Sequence, residues 1–409
     1  MASAIGKEIG SSDQGTGYTA PPITLRSELM GVVRGTPMGE LLRRYWHPVA
    51  MSKAATQTPR KVRLLGENLI LFRDGSGQPG LLAENCCHRG ASLFYGRVEQ
   101  DGLRCCYHGW KFSPKGVCLE QPLELDGGTR KHRQPWYPVE ERYGLVWAYM
   151  GPPEKKPILP RWASLENLKP GEMIEIVLEP GWCDERGIPT HWLHSYENSM
   201  DPMHVNWLHE QHSQPQFDYE GREFRKINPT HNILEGVTWS ESRWGMKYLS
   251  VTPSAYEGML NEFAVELLIP TAVQVPSFND LMIHVPIDDN NHSMIQLAKV
   301  TQPGTLAKRR INHNGKQWRD CTSEELQRFP GDYEAMKDIP AAAHSGEHLA
   351  GSDRGIVMLR RILKREMDKV SRGEDPIGVS FDSTEPAREV ASLIRQVRYS
   401  SSETRTADQ

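Results

Sequence analysis

No apolar run in this chain approaches the ~20 residues needed to cross a bilayer as a helix, so no membrane span is expected. The opening stretch, MASAIGKEIGSSDQGTG, also lacks the continuous apolar core of a secretory signal. A cytoplasmic protein is therefore expected. Excess positive charge is missing too. With 48 Lys and Arg against 52 Asp and Glu, the formal net charge is -4, which argues against a general nucleic-acid binder. Cysteine is scarce, seven in 409 residues, at 86, 87, 105, 106, 118, 183 and 321. Four of the seven form two adjacent pairs, a placement poorly suited to a disulfide framework. In a reducing compartment, clustered cysteines more often bind metal or do redox chemistry. No internal repeat is visible.

What is present fits a folded protein, with 38% hydrophobic and 24% charged residues. The length allows roughly two domains at ~150 residues each, plus tails. Residues 1–20 and 399–409 are small and polar and are expected to be disordered. Residues 21–46 show helical periodicity broken at Gly35 and Pro37. From 47 to 155, short β-rich runs such as KVRLLGENLILFRD and GLVWAYMG alternate with turn residues, which predicts an all-β domain. GPPEKKPILP (151–160) reads as a linker because its prolines oppose helix and central strand alike. Residues 156–398 form a second domain of mixed texture. Residues 190–212 look helical, 232–300 strand-like, and 355–371 an amphipathic helix. The fold class is therefore α+β: an N-terminal all-β domain, then an antiparallel sheet flanked by helices.

Two short motifs carry the chemistry. Cys86-Cys87-His88 gives Cys-x-His, and Cys105-Cys106-Tyr107-His108 gives Cys-x-x-His. Each sits at an expected hairpin tip and is followed by a glycine, Gly90 or Gly109. Spacing selects Cys86 and Cys105 as ligands, because Cys87 directly adjoins His88 and Cys106 leaves one residue before His108. Cys87, Cys106 and Cys118 are then expected to be packing residues. Two thiolates and two imidazoles suit a [2Fe–2S] cluster whose second iron takes the histidines, a substitution that raises its reduction potential. A Cys2His2 zinc site is the competing reading, but zinc ribbons usually pair cysteine with cysteine and histidine with histidine.

A second constellation follows at 197–209, where Asp201-x-x-His204-x-x-x-x-His209 appears. Two histidines plus a carboxylate form a facial triad that leaves positions open on Fe(II) for O₂. Asp201 and His204 share one helical face. His204 and His209 lie about 140° apart on an ideal helix, so a bend or bulge between them is expected. Pro202 fits a helix start with Asp201 as its N-cap. A merely polar helix face competes with this reading. So do the pairs His191 with His194 and His209 with His212. The carboxylate candidates downstream are Asp320, Asp332, Glu334, Asp338 and Asp353.

The stretch NCCHRGASL…GLRCCYHGWKFS resembles the cluster domain of the Rieske non-haem iron oxygenases, and the likeness runs on through WYPVEERYGLVWAYMGPPE. FPGDYEAM…HSGEHLAGSDRGIVMLRR resembles the C-terminal part of the phthalate-dioxygenase-like branch. The resemblance implies a [2Fe–2S] cluster on Cys86, His88, Cys105 and His108. It implies a mononuclear Fe(II) on His204 and His209, with Asp332 as the third ligand. Asn198 matches an asparagine often found just before this motif. Asp201 is implied to link a cluster histidine of a neighbouring subunit, His108, to His204. The implied activity is that of a terminal oxygenase component, hydroxylating or O-demethylating an aromatic acid or aryl ether. A separate NAD(P)H-dependent flavin/iron–sulfur reductase or a ferredoxin supplies the electrons, and the assembly is a homotrimer. The basic residues Arg243 and Lys247 are candidates to meet a substrate carboxylate, against the plainer reading of a solvated strand face.

Gly75-Ser-Gly-Gln-Pro-Gly80 matches G-x-G-x-x-G, but a strand follows Pro79 where a dinucleotide site needs a helix. A hairpin turn is expected there, and no nicotinamide or flavin site. A Rieske electron-transfer protein without oxygenase activity is the alternative. It leaves the second domain and its two histidines unexplained.

Overall fold

The computed structural model describes residues 28–124, 132–178, 187–213, 236–253, 259–275, 280–306, 316, 320–339, 346–390 and 393–398. Both expected tails lie outside them. The segment 21–46 is described from residue 28 and holds one short helix, α1 (Pro37–Leu42). Thr36 caps it by accepting from the Gly39 N–H, and Pro37 occupies the first turn, where its missing N–H costs nothing. The apolar periodicity before Gly35 builds turns, not helix.

Ten short strands follow: β1 (Trp46–Met51), β2 (Arg60–Leu64), β3 (Glu67–Arg73), β4 (Pro79–Ala83), β5 (Arg97–Glu99), β6 (Gly102–Arg104), β7 (Lys111–Phe112), β8 (Cys118–Glu120), β9 (Val139–Arg142) and β10 (Leu145–Tyr149). They form three small antiparallel sheets, ordered β1-β10-β9, β2-β3-β4 and β5-β6-β7-β8. The glycine-rich stretch 75–80 is the β3–β4 turn. Asp74 Oδ1 accepts from the N–H groups of Ser76 and Gln78 there, and no helix opens. The proline-rich connection stays irregular apart from one turn at Pro153–Lys155, and Arg142 ties it down by donating to the carbonyls of Leu159 and Pro160.

The second half is built on one antiparallel sheet. Its strands are β11 (Met173–Leu178), β12 (Val237–Glu241), β13 (Gly245–Pro253), β14 (Met259–Leu268), β15 (Ala272–Val275), β16 (Asp280–Pro286), β17 (His292–Val300) and β18 (Leu393–Arg398). The order is β11-β17-β16-β15-β14-β13-β12, with β18 on β14. β18 was not expected. LIRQVR lacks clean apolar alternation, and it is made a strand by the β14 edge it pairs with. The helices are α2 (Trp192–Asn198), α3 (Pro202–His204), a π-helix (Val205–His212), α4 (Ser323–Arg328), α5 (Asp332–Met336) and α6 (Arg354–Ser371), and α2 and α6 pack on one face of the sheet. α6 buries Leu359, Ile362, Leu363 and Met367 at helical spacing. Tyr196 of α2 donates to the Leu268 carbonyl, and Trp239 of β12 donates to that of Met200. Leu268, Ala272 and Ile283 instead line a hollow with Tyr45, Trp46, Trp147 and Trp162, so the sheet's other face meets the β-rich half. Each fully buried Leu or Ile in this shared core contributes ~1.5–3 kcal/mol. No helix among the described residues is long and apolar enough to cross a membrane.

Candidate functional site

The two Cys/His loops close the same way. The Cys86 N–H donates to the Ala91 carbonyl and the Cys105 N–H to that of Trp110, both at 2.8 Å. The Gly90 N–H returns to the Cys86 carbonyl, and that of Gly109 to Cys105. Gly90 (φ 76°) and Gly109 (φ 73°) hold the left-handed conformation this closure requires. Cys86 and Cys105 point inward, each 3% exposed, while His88 and His108 stand half-buried with ring centroids 4.7 Å apart. Burial pushes the Cys86 thiol up to about 12, so a bound metal must draw off its proton. Cys87 and Cys106 are exposed, against the expectation of packing; in each loop the residue after the inward thiol turns out to solvent. Cys118 is buried as expected.

Two polar side chains brace these loops. Fully buried Gln134 donates to the carbonyls of Ala83 and Asn85 and accepts from the Cys87 N–H. Arg104 donates to the Gly109 carbonyl at 2.7 Å and is held by Glu99 and Glu120. Neither was singled out in the sequence. Arg104 adjoins Cys105, which is a usable signal, whereas Gln134 lies far along the chain and offers none.

The second constellation lies under α2. Asp201 Oδ1 accepts from the N–H groups of Met203 and His204, the N-cap expected of it, with Pro202 at the first position. The chain then runs on as a π-helix through His209. Its i-to-i+5 hydrogen bonding brings residues five apart onto one side, which supplies the expected bulge. The His204 and His209 rings lie 5.4 Å apart. Asp332, first residue of α5, places Oδ1 3.3 Å from His204 Nε2 and 3.0 Å from His209 Nε2. His204 Nδ1 contacts the Asp201 carbonyl at 2.5 Å. A carbonyl can only accept, so Nδ1 carries a proton, and Nε2 is the ring nitrogen left to face Asp332. Asn198 Nδ2 completes the cluster, 3.2 Å from His204 Nε2 and 3.1 Å from Asp332 Oδ1. Burial alone raises the Asp332 carboxyl, but the facing imidazoles outweigh it and hold it well below the usual range. Burial lowers His204, and Asp332, together with Asp201, more than reverses that. Next to Asn198, Glu197 is gripped by Arg360, which also grips Glu347 and ties α2 to α6.

The competing residues lie elsewhere. His191 caps α2, taking the Leu193 N–H on Nδ1, and its Nε2 contacts the Met30 carbonyl. His212 is exposed at the end of the π-helix. Glu334 and Asp353 accept from backbone N–H groups at helix starts, and Asp320 and Asp338 are exposed. Arg243 is 72% exposed at the β12–β13 turn, paired with Glu385, and Lys247 lies opposite Glu266 in the sheet register.

Among the described residues, His204, His209 and Asp332 are the one group of three or more whose ligand atoms converge within 4.8 Å. That donor set fits a single iron ion. The two thiols and two imidazoles of Cys86, His88, Cys105 and His108 suit a cluster in which each iron takes only two protein ligands.

Comparison with known proteins agrees. The model of the Rieske [2Fe-2S] domain matches residues 45–126. The chain is 43% identical to the phenoxybenzoate dioxygenase subunit alpha of Ectopseudomonas oleovorans, over 92% of this chain and 93% of that one. It is 34% identical to the 5,5'-dehydrodivanillate O-demethylase oxygenase subunit of Sphingobium sp. (strain NBRC 103272 / SYK-6), over 87% and 82%. In fold it is similar to Pseudomonas putida CBB5 NdmA with caffeine, at a TM-score of 0.59 and 19% identity, over 86% and 99%. The cofactors are a Rieske [2Fe–2S] cluster and a mononuclear iron. The chain belongs to the Rieske non-haem iron oxygenases, as an oxygenase (alpha) component of the phthalate-dioxygenase-like branch.

Proposed function

We propose that this oxygenase hydroxylates or O-demethylates an aromatic acid or aryl ether, with the iron on His204, His209 and Asp332 and the cluster on Cys86, His88, Cys105 and His108. The observation that carries the reading is the meeting of Asp332 Oδ1 with both Nε2 atoms, across more than 120 residues of chain. When bound, the cluster stores single electrons and the iron supplies the redox chemistry that activates O₂. The chain's own residues set the geometry. The Asp201 carbonyl fixes the His204 tautomer, and Asn198 holds the inner edge of the triad. The Asp201 carboxylate is 3.8 Å from His204 Nδ1 and partly exposed, and in this reading it receives His108 of a neighbouring copy. The proposed assembly is a homotrimer of head-to-tail copies, and light scattering behind size exclusion should give three chains. An active stable monomer would contradict that assembly.

The substrate class is supported by relatives named for phenoxybenzoate and dehydrodivanillate, and for O-demethylation. An O₂-uptake screen of aromatic acids and methoxyarenes with a surrogate reductase tests it. Uptake matched by a hydroxylated or demethylated product supports the reading. Cluster reduction without any product across the screen would sink it.

A further inference from the structure

We infer that His132 and Trp110 form the inlet by which an external one-electron carrier reaches the cluster through His88. The inference rests on the reading of His88 as a cluster ligand. Its basis is a row of three rings. The indole of Trp110 lies flat against the His88 imidazole, with centroids 4.4 Å apart and planes 1° from parallel. The His132 ring lies 5.2 Å from that of Trp110, tilted by 32°. Trp110 is buried, at 6% exposure, whereas His132 is exposed. The row therefore runs from solvent to a cluster ligand with no gap wider than ordinary aromatic contact.

The row is also held in place. The Cys118 N–H donates to the His132 carbonyl, and the Gln134 N–H to that of Gly116. The Gln134 side chain fastens the same segment to the first cluster loop. An exposed imidazole on a tethered backbone keeps its distance to the buried indole.

The surroundings favour an acidic partner. Arg133, next to His132, is exposed, as are Lys115 on the neighbouring β7–β8 turn and Arg89 beside His88. Val117 pairs with Arg133 across that turn. Exposed cations around an aromatic contact steer an anionic surface toward it, more weakly as salt rises. The step itself is one electron. The carrier, a reduced flavin or iron–sulfur protein, is oxidised by one unit, and one ferric iron of the cluster becomes ferrous.

His88 then takes electrons in, while His108, proposed above to meet Asp201 of a neighbouring copy, passes them on. The test uses the full-length, cluster-loaded protein and a surrogate flavin/iron–sulfur reductase that reduces the wild type in a stopped-flow instrument. Loss of the cluster's visible absorbance gives the rate. His132→Ala should slow reductase-driven reduction on the order of tenfold, the low end of what groups next to metal ligands cost. Reduction by dithionite, and the affinity for the oxidised reductase measured by calorimetry, should not change. His132→Phe, which keeps a ring, should restore the rate to within about twofold of wild type, since the stack and not the imidazole nitrogens carries the contact. An unchanged rate in His132→Ala overturns the inference, and so does equal slowing in His132→Phe. A wild type without the cluster absorbance would instead overturn the ligand reading on which this stands.

Discussion

The two metal sites are made by opposite means. The cluster pocket is local: two hairpin tips, closed by the same pair of backbone bonds, with four candidate ligands inside 23 residues. The iron triad is long-range. It needs a helix that switches to π geometry between His204 and His209, and a carboxylate delivered by α5 after the strands β12 to β17. The first site can form once its small sheets pair. The second forms only when the whole sheet has brought α5 under α2. The two sites should therefore fail independently, and the triad should be the more easily lost.

Single-ligand changes break the comparison most severely. Asp332→Ala should lower turnover more than ~100-fold, above the 10–100-fold typical of residues behind metal ligands. The cluster's visible and EPR spectra should stay as in wild type. Cys105→Ala should do the converse, removing the cluster spectrum while iron still binds the triad. If either change removed both signals, the two sites would not be independent.

Asp201 bears on both sites, because it caps the helix of the triad and is proposed to meet the cluster histidine of a neighbouring copy. Asp201→Asn keeps a good N-cap and should leave the free energy of unfolding within about 1 kcal/mol of wild type. Reduction of the cluster should remain fast, but turnover should fall ~10–100-fold, since the carboxylate between the centres is gone. Asp201→Ala should add a capping loss of ~0.5–2 kcal/mol, read by denaturant unfolding. Equal turnover in Asp201→Asn and wild type would reduce Asp201 to a cap.

The bracing residues have smaller effects. Gln134→Leu leaves the Cys87 N–H and two carbonyls without their partner. About tenfold weaker cluster retention under chelator is expected, with triad iron unaffected. Smallest is the acid limb set by Glu99, whose carboxyl the Arg104 and Arg97 guanidinium groups hold down at about 2. A depressed carboxyl stabilises the fold above its ordinary value of 4.5 and loses that contribution as pH falls toward 2. Glu99→Gln should therefore differ from wild type by at most ~1 kcal/mol at neutral pH, and the two should converge near pH 2.

The same contrast explains what was legible in the sequence. Cys86, His88, Cys105 and His108 stand out because ligand spacing and the following glycines are local features. The Asp201 cap and the need for a bulge before His209 were also readable, since helical angles follow from spacing alone. Asp332 was not readable by spacing. Five carboxylates competed, and only the resemblance ranked them; α5 lies beneath α2 because of tertiary packing. Gln134 was missed for the same reason, and β18 because pairing with β14 overrides a weak pattern. The exposure of Cys87 and Cys106 reflects alternation within a turn, which composition does not carry.

On this account the chain holds two separate iron sites of different make. Iron and acid-labile sulfide, assayed in wild type and in Asp332→Ala, test it most directly. Wild type should contain about three irons and two sulfides per chain, and the variant about two of each with the cluster spectrum intact. An iron-to-sulfide ratio of one in wild type, or the same ratio in both proteins, would contradict it.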